Sequence, residues 1–353
     1  MLGVSAARLE RAISDGSYLG VQLYVSVGTE TWVDIAVGER FPGTALGTDD
    51  PVPWVCCAKP LGALAVGLLY EGGALTPQTR VSSVVPEFAA GGKAEVTITQ
   101  LLSHSVPYEL DGIDRVDEPP LVHLPHEKAL AVACARQLDR SRTSPALYSP
   151  FGSWVVLAEV VARLTGTGYF DFVEREILRP LEMDAVVYGD AVGGLADLYA
   201  RTDAGHAVHR WLNLEEVLAP GSPGTGAHGP ARELARVCEC LVQDGWWNGR
   251  RILGRKAVPA LSATVRQGMP DPGFSNLQLT WGLGVCTDSD WFGAPRGTRA
   301  VGHTGYGCAL TMGDLDHRLV ISFLSTSVTD EPLGRGRLMV QIVRDVYAAV
   351  ASN

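Results

Sequence analysis

Residues Leu61–Tyr70 read Leu-Gly-Ala-Leu-Ala-Val-Gly-Leu-Leu-Tyr and carry no charge on any face. A segment that is apolar all round is stable only when the rest of the chain is wrapped about it. Its length, alanines and leucines predict a helix; a buried strand is the competing reading of any short apolar run. Glu71-Gly72-Gly73 supplies the stop. Proline is tolerated only in a first helical turn, so Pro60 forces the helix to begin close to Cys56, within Trp54-Val55-Cys56-Cys57-Ala58-Lys59-Pro60. That puts a thiol at the amino end of a buried helix, where unpaired amides and the helix dipole favour negative charge. Lys59 lies three residues on, hence on the same face. Such surroundings favour a standing thiolate at Cys56.

With 353 residues and 46% hydrophobic content, the chain is long enough for a large core, or a core carrying one inserted lobe. A net charge of −10 argues against nucleic acid or an anionic membrane surface as main partners. Met1-Leu2-Gly3-Val4-Ser5 lacks the basic region and apolar core of a secretory signal, and no uncharged apolar run reaches the length of a membrane span. Seven cysteines, an odd number without paired metal spacing, are then expected as reduced thiols in a cytoplasm.

Ser5 is expected to cap a helix ending at Ser14. Val21–Val27 and Thr31–Val37 alternate apolar and polar residues around Gly28-Thr29-Glu30, a hairpin with one buried face. Val96–His104 reads as a short capped helix, and Tyr108–Leu124 as a long surface loop beside a cleft. Helical periods follow at Glu127–Leu138, Ser153–Leu164, Phe170–Leu178 and Ala231–Gln243. Between them Ala219–Gly226, rich in Gly, Pro and Ser, is the most linker-like stretch. Trp281–Cys286, Ala300–His303, Cys308–Gly313 and Leu319–Ser325 read as strands, and Leu333–Ala349 as a closing amphipathic helix. This order predicts one α/β (α+β) domain over 1–353. The segments 1–75 and 220–353 would share an antiparallel sheet flanked by helices, with a mostly helical lobe inserted over about 76–219.

In that register the chain resembles the serine β-lactamase and penicillin-binding-protein superfamily, most closely its class C-like esterases and acyltransferases. Lys59-Pro60 and the helix behind it match the first motif, Ser-x-x-Lys. Val84–Phe88 and Val96–His104 resemble the stretch after that helix. Tyr148-Ser149-Pro150 resembles Tyr-x-Asn, Ile177–Leu181 the segment downstream of it, and Ala231–Arg236 the helix after the inserted lobe. His303-Thr304-Gly305 resembles the third motif, Lys-Thr-Gly or His-x-Gly. Three departures stand out: Cys56 replaces the nucleophilic serine, Pro150 replaces the asparagine, and Ser105-Val106-Pro107 replaces Thr-Ser-Gly after His104.

The resemblance implies Cys56 as nucleophile, Lys59 as the group that holds its thiolate or accepts its proton, and Tyr148 as general acid and base. The backbone amides of Cys56 and Tyr306 would form the oxyanion hole. His303, Thr304, Gly305, Trp54 and Pro150 would bind substrate. No cofactor and no metal is implied; His123/His126 and His206/His209 read as loop histidines, and Cys57 and Cys238-Glu239-Cys240 as packing residues. A cysteine nucleophile makes a thioester, which amines attack more readily than water does. The expected function is therefore acyl transfer from a small-molecule donor, an ester or a carrier-bound acyl group, to an amine or alcohol. By analogy, specialised metabolism such as antibiotic biosynthesis is the expected setting. A hydrolase of esters, amides or lactams on the same residues, and a non-catalytic binding protein retaining the cleft, are the alternatives.

Overall fold

The computed structural model describes residues 3–108, 124–189, 197–209, 221–329 and 336–352. Its centre is a six-stranded antiparallel sheet. We label the strands β1 (Gly20–Val27), β2 (Glu30–Phe41), β3 (Thr44–Ala45), β4 (Ala300–Gly305), β5 (Ala309–Asp314) and β6 (Leu319–Ser325). Their spatial order is β4-β5-β6-β1-β2-β3, so β4 is an edge. The helices that matter here are α1 (Gly3–Ser14), α2 (Lys59–Glu71), α3 (Gly152–Thr165), α4 (Ala231–Val242) and α5 (Arg337–Ala351).

Period-two alternation sorts the strands between two cores. Val21, Leu23 and Val25 of β1, with Ile321 and Phe323 of β6, pack against Leu9 of α1 and Ile342 and Val343 of α5. Val320 and Leu324 of β6 point the other way, into the larger core that contains α2, α3 and α4. The hairpin of β1 and β2 forms as expected, but β1 is buried on both faces rather than one. Its polar side chains meet partners beneath α4. Gln22 donates to Gly47 O and Asp50 O and accepts from Ala231 N. Tyr24 and Ser26 both donate to the Glu239 carboxyl at 3.0 and 2.5 Å. Alternation alone cannot distinguish a solvated polar face from one satisfied by a covering helix.

α2 is the buried helix expected from its composition, with Pro60 in its first turn and Lys59 through Gly67 without significant exposure. A capping box between Thr97 and Gln100 starts the helix Ile98–Leu102. Three expectations are corrected. The first helix starts at Gly3, so Ser5 lies inside it, buried, rather than capping it. Trp281–Cys286 makes only isolated bridges, Trp281 to Arg266, Cys286 to Gly302, and Trp281 and Cys286 to each other. Gly284, at φ +78°, breaks the extension there, and a Cβ on it would stand 2.7 Å from that of Ala63. The linker-like stretch is buried over its described residues 222–226 and packs on the site. Within 76–219 helical segments make up less than half of the described residues, and Tyr199–Thr202 and Gly205–Val208 form a hairpin that pairs with Ser327–Val328. Most of the loop expected at Tyr108–Leu124 lies outside the described residues. Among them no helix is long and apolar enough to cross a membrane.

Leu64, fully buried in α2, should be a keystone of this packing. Leu64→Ala is expected to cost about 2–5 kcal/mol through lost transfer energy and a residual cavity. Val208→Ala, at an exposed position, should stay within about 0.5 kcal/mol. Thermal unfolding of the two variants makes the comparison.

Candidate active site

The chain reaches α2 through a tight turn. Val55–Ala58 forms a 3₁₀ segment whose C-terminal neighbour, Lys59, donates its backbone N–H to Cys56 O. Side chains three residues apart eclipse in this geometry, which puts Cys56 and Lys59 on one face. Val55 sits at φ +48°, a strained conformation for a β-branched residue, worth about 1–3 kcal/mol. Cys56 is partly exposed, whereas Cys57 is buried and donates its thiol to His303 O at 3.2 Å. That bond ties the turn to the edge strand β4. At the end of β4 a Cβ on Gly305 would stand 2.7 Å from Trp54 O and 3.2 Å from Val55 Cβ, so only glycine lets strand and turn close. Tyr306 follows at φ +29°, its side chain exposed. The backbone segments of Cys56 and Tyr306 thus lie side by side.

Lys59 has no exposed surface. Its ammonium donates to Gly224 O at 3.0 Å and lies 5.5 and 5.6 Å from the ring centres of Tyr148 and Trp154. A buried charge needs such partners. Gly224 must be glycine for this approach, because a Cβ would meet Pro150 O and the Trp154 ring at 3.0 Å.

Tyr148 completes the group. Burial pushes its phenol well above the ordinary value, and negative charge on Cys56 together with a hydrogen bond to Cys56 adds to the shift. The resting group is therefore a phenol, an acid before it is a base. His104, at φ +53°, stacks on it with ring centres 4.4 Å apart and accepts Ser149 N–H at Nδ1. A buried ion pair fixes this segment from behind. Arg266 and Asp271, 1% and 0% exposed, meet at 2.9 Å. Asp271 accepts Tyr148 N–H at 3.0 Å, while Arg266 donates to His104 O at 2.7 Å.

Cys56, Lys59 and Tyr148 are thus brought together. Thr304 and Pro150 are half-buried at the site, and the Thr304 hydroxyl accepts the Trp291 indole N–H at 3.0 Å. His303 is 2% exposed and backs the site; its Nδ1 pairs with Thr304 O, which leaves Nε2 as the acceptor. Trp54 is a correction. It has no exposed surface, donates its indole to Gly229 O, and supports the turn from beneath instead of touching substrate. Sequence reading did not single out Trp154, Gly224, Arg266 or Asp271 as site residues. Only Pro270-Asp271-Pro272-Gly273 carried a signal, as a turn.

The basic and imidazole groups press on one another. Burial and then the Lys59 charge depress His303 to about 3. Burial depresses His228, behind Trp54, to about 4. Burial, then Arg266 and Lys59, hold His104 well below its usual value.

A model of the β-lactamase family matches residues 6–343. Esterase/β-lactamase LipL of Mycobacterium tuberculosis is 26% identical over 299 residues, 75% of this chain and 67% of that protein. Among solved structures, a family VIII carboxylesterase superposes with a TM-score of 0.78 at 20% identity, covering 98% of this chain and 96% of that one. EstCE1, a hydrolase with promiscuous acyltransferase activity, gives 0.78 at 19% identity over 97% of both chains. A penicillin-binding-protein homologue from Caulobacter crescentus gives 0.77 at 20%, over 99% and 97%.

Histidines that are neutral when folded and free to protonate when unfolded take up protons on unfolding between their folded values and about pH 6.5. Stability should then be level above that pH and fall below it, by about 1.4 kcal/mol per pH unit for each of the three. Thermal midpoints followed downward from about pH 7 should show the slope, and His228→Gln should make it shallower by one proton's worth.

Proposed function

The chain belongs to the β-lactamase family, a family of esterases and related hydrolases, and we propose that it works as an acyltransferase through a covalent acyl-Cys56 thioester. The observation that carries this reading is a partly exposed Cys56 one 3₁₀ turn from the buried Lys59, whose ammonium lies 5.5 Å from the centre of the Tyr148 ring.

In the first half-reaction the Cys56 sulfur attacks the acyl carbonyl, and its proton passes through the Tyr148 phenol to the leaving group, with the Lys59 ammonium beside the ring. The carbonyl oxygen, now an anion, is held by the amides of Cys56 and Tyr306, donors that typically contribute roughly 3–4 kcal/mol each. The C–O or C–S bond to the leaving group breaks as Tyr148 protonates that group. In the second half-reaction an amine or alcohol attacks the thioester, and its proton passes through Tyr148 to the departing Cys56 sulfur. Thioesters favour nitrogen nucleophiles over water, and Pro150 offers no side-chain amide to order a water.

The donor is a small-molecule ester or a carrier-bound acyl group. An acidic chain with seven free thiols fits a reducing cytoplasm better than a nucleic-acid or membrane partner, and specialised metabolism, antibiotic biosynthesis included, is the setting we favour. Ester hydrolysis on the same residues is the second reading, favoured by the name of the Mycobacterium tuberculosis relative.

Incubation with a reactive acyl thioester should add one acyl mass to the protein, absent in Cys56→Ala. Lys59→Met should slow adduct formation at least about 100-fold, the size expected when an acid–base partner is removed. Cys56→Ser should shift products from amide toward free acid. Free acid alone with every amine and alcohol tried would establish the hydrolase, and no adduct at all would leave a binding protein.

A further inference from the structure

Beside Tyr148 lies a turn that the chemistry above does not use. Asp271 folds it: its carboxylate accepts Gly273 N–H at 2.9 Å as well as Tyr148 N–H, and its carbonyl accepts Asn276 N–H at 2.8 Å. Ser275 and Asn276 sit at φ +51° and +64°. Gly273 approaches so closely that a Cβ there would be 3.0 Å from that of Tyr148. The turn is therefore bolted to the acid–base residue by a carboxylate whose other oxygen is held by Arg266.

Ser275 and Asn276 are exposed on the turn, and Phe274 and Leu277 give it an apolar part. The Phe274 ring lies 4.9 Å from that of Tyr148 and 5.4 Å from Trp291, the residue that holds the Thr304 hydroxyl. Phe274 thus bridges the acid–base residue and the edge strand. Leu277, closing the turn with its N–H on Phe274 O, is 39% exposed. On the opposite side Tyr148 meets His104 and Lys59, both fully enclosed. Of the described rings that pack on Tyr148, His104, Trp281 and His303 are buried and Phe274 is partly exposed, so Phe274 is the ring neighbour an incoming group can touch.

We propose that the turn Asp271–Leu277 is the acceptor subsite, and that its Phe274 and Leu277 faces select amines or alcohols carrying an aromatic or branched apolar body. The inference rests on the acyl-Cys56 reading and gives it a second source of preference for transfer. An apolar acceptor buries surface against this wall and is held beside the phenol, whereas water gains nothing there. The step is balanced. The acceptor nitrogen bonds the thioester carbon, the C–S bond breaks, and the proton lost by nitrogen reaches the Cys56 sulfur through Tyr148.

The test uses the full chain, S-ethyl thioacetate as donor, and benzylamine against ethanolamine, two primary amines of similar basicity. Benzylamine should give at least about tenfold more amide per free acid, the scale of a modest apolar contact. Phe274→Ala should remove most of that advantage through a raised acceptor KM, and Phe274→Leu less of it. Leu277→Ser, at an exposed position, should reduce it without lowering the thermal midpoint. In each variant ethanolamine partitioning and the rate of acyl-adduct formation should change by a smaller factor than benzylamine partitioning does. Equal partitioning of the two amines in the unaltered protein overturns the subsite while the adduct on Cys56 still stands. So does a Phe274→Ala variant that loses adduct formation and both transfers in parallel. Absence of any adduct overturns the acyl-enzyme itself and the subsite with it.

Discussion

A fully enclosed lysine ammonium is the constraint on which this structure turns. Removing such a charge from water costs several kcal/mol unless the protein rebuilds its solvation. Here the rebuilding draws in four separate parts of the chain. α2 carries Lys59, the buried stretch around Gly224 supplies a carbonyl, Tyr148 offers a ring face, and Trp154 of α3 offers another. The same charge helps keep His303 and His104 neutral. With the imidazoles neutral, the local cations are Lys59, next to the turn that carries the sulfur, and Arg266, which is paired with Asp271.

Strain gathers around the same point. Val55, His104 and Tyr306 are non-glycine residues at positive φ, and each adjoins a different wall of the site. Such conformations persist only where surrounding contacts over-determine them. The contacts can be named. The Cys57 thiol on His303 O and the close approach at Gly305 hold the nucleophile turn against β4. The Arg266–Asp271 pair holds both the Tyr148 amide and the His104 carbonyl. Removing one partner of so deeply buried a pair leaves the other uncompensated, typically a cost of about 3–5 kcal/mol. The arrangement fixes the Tyr148 and His104 segments from behind.

Much of the frame was readable from local pattern. α2 announces itself by composition and by Pro60; the β1–β2 hairpin, β5, β6 and α4 follow from periodicity and turn residues; and Cys56, Lys59 and Tyr148 come from motif spacing. The failures share a cause. Trp54 reads as a pocket residue because it stands in a loop-like stretch, yet its indole is buried and bonded to Gly229 O. Residues 222–226 looked like linker because Gly, Pro and Ser dominate them, yet glycine was needed there for close approach to Trp154 and Pro150. Gln22, Tyr24 and Ser26 read as a solvated face because their partners, on α4 and the loop after β3, are remote in sequence.

The sequence by itself determined that one apolar helix must be wrapped, that a cysteine and a lysine share its first face, and that strands flank a helical middle. These follow from interactions within a few residues, which spacing records. Only the tertiary structure decided which side chains enclose the ammonium, which carboxylate anchors the phenol, and that Phe274 rather than Trp54 stands beside it. Those are contacts between segments 89 or more residues apart. Their geometry is set by how the layers pack, and no local pattern encodes it.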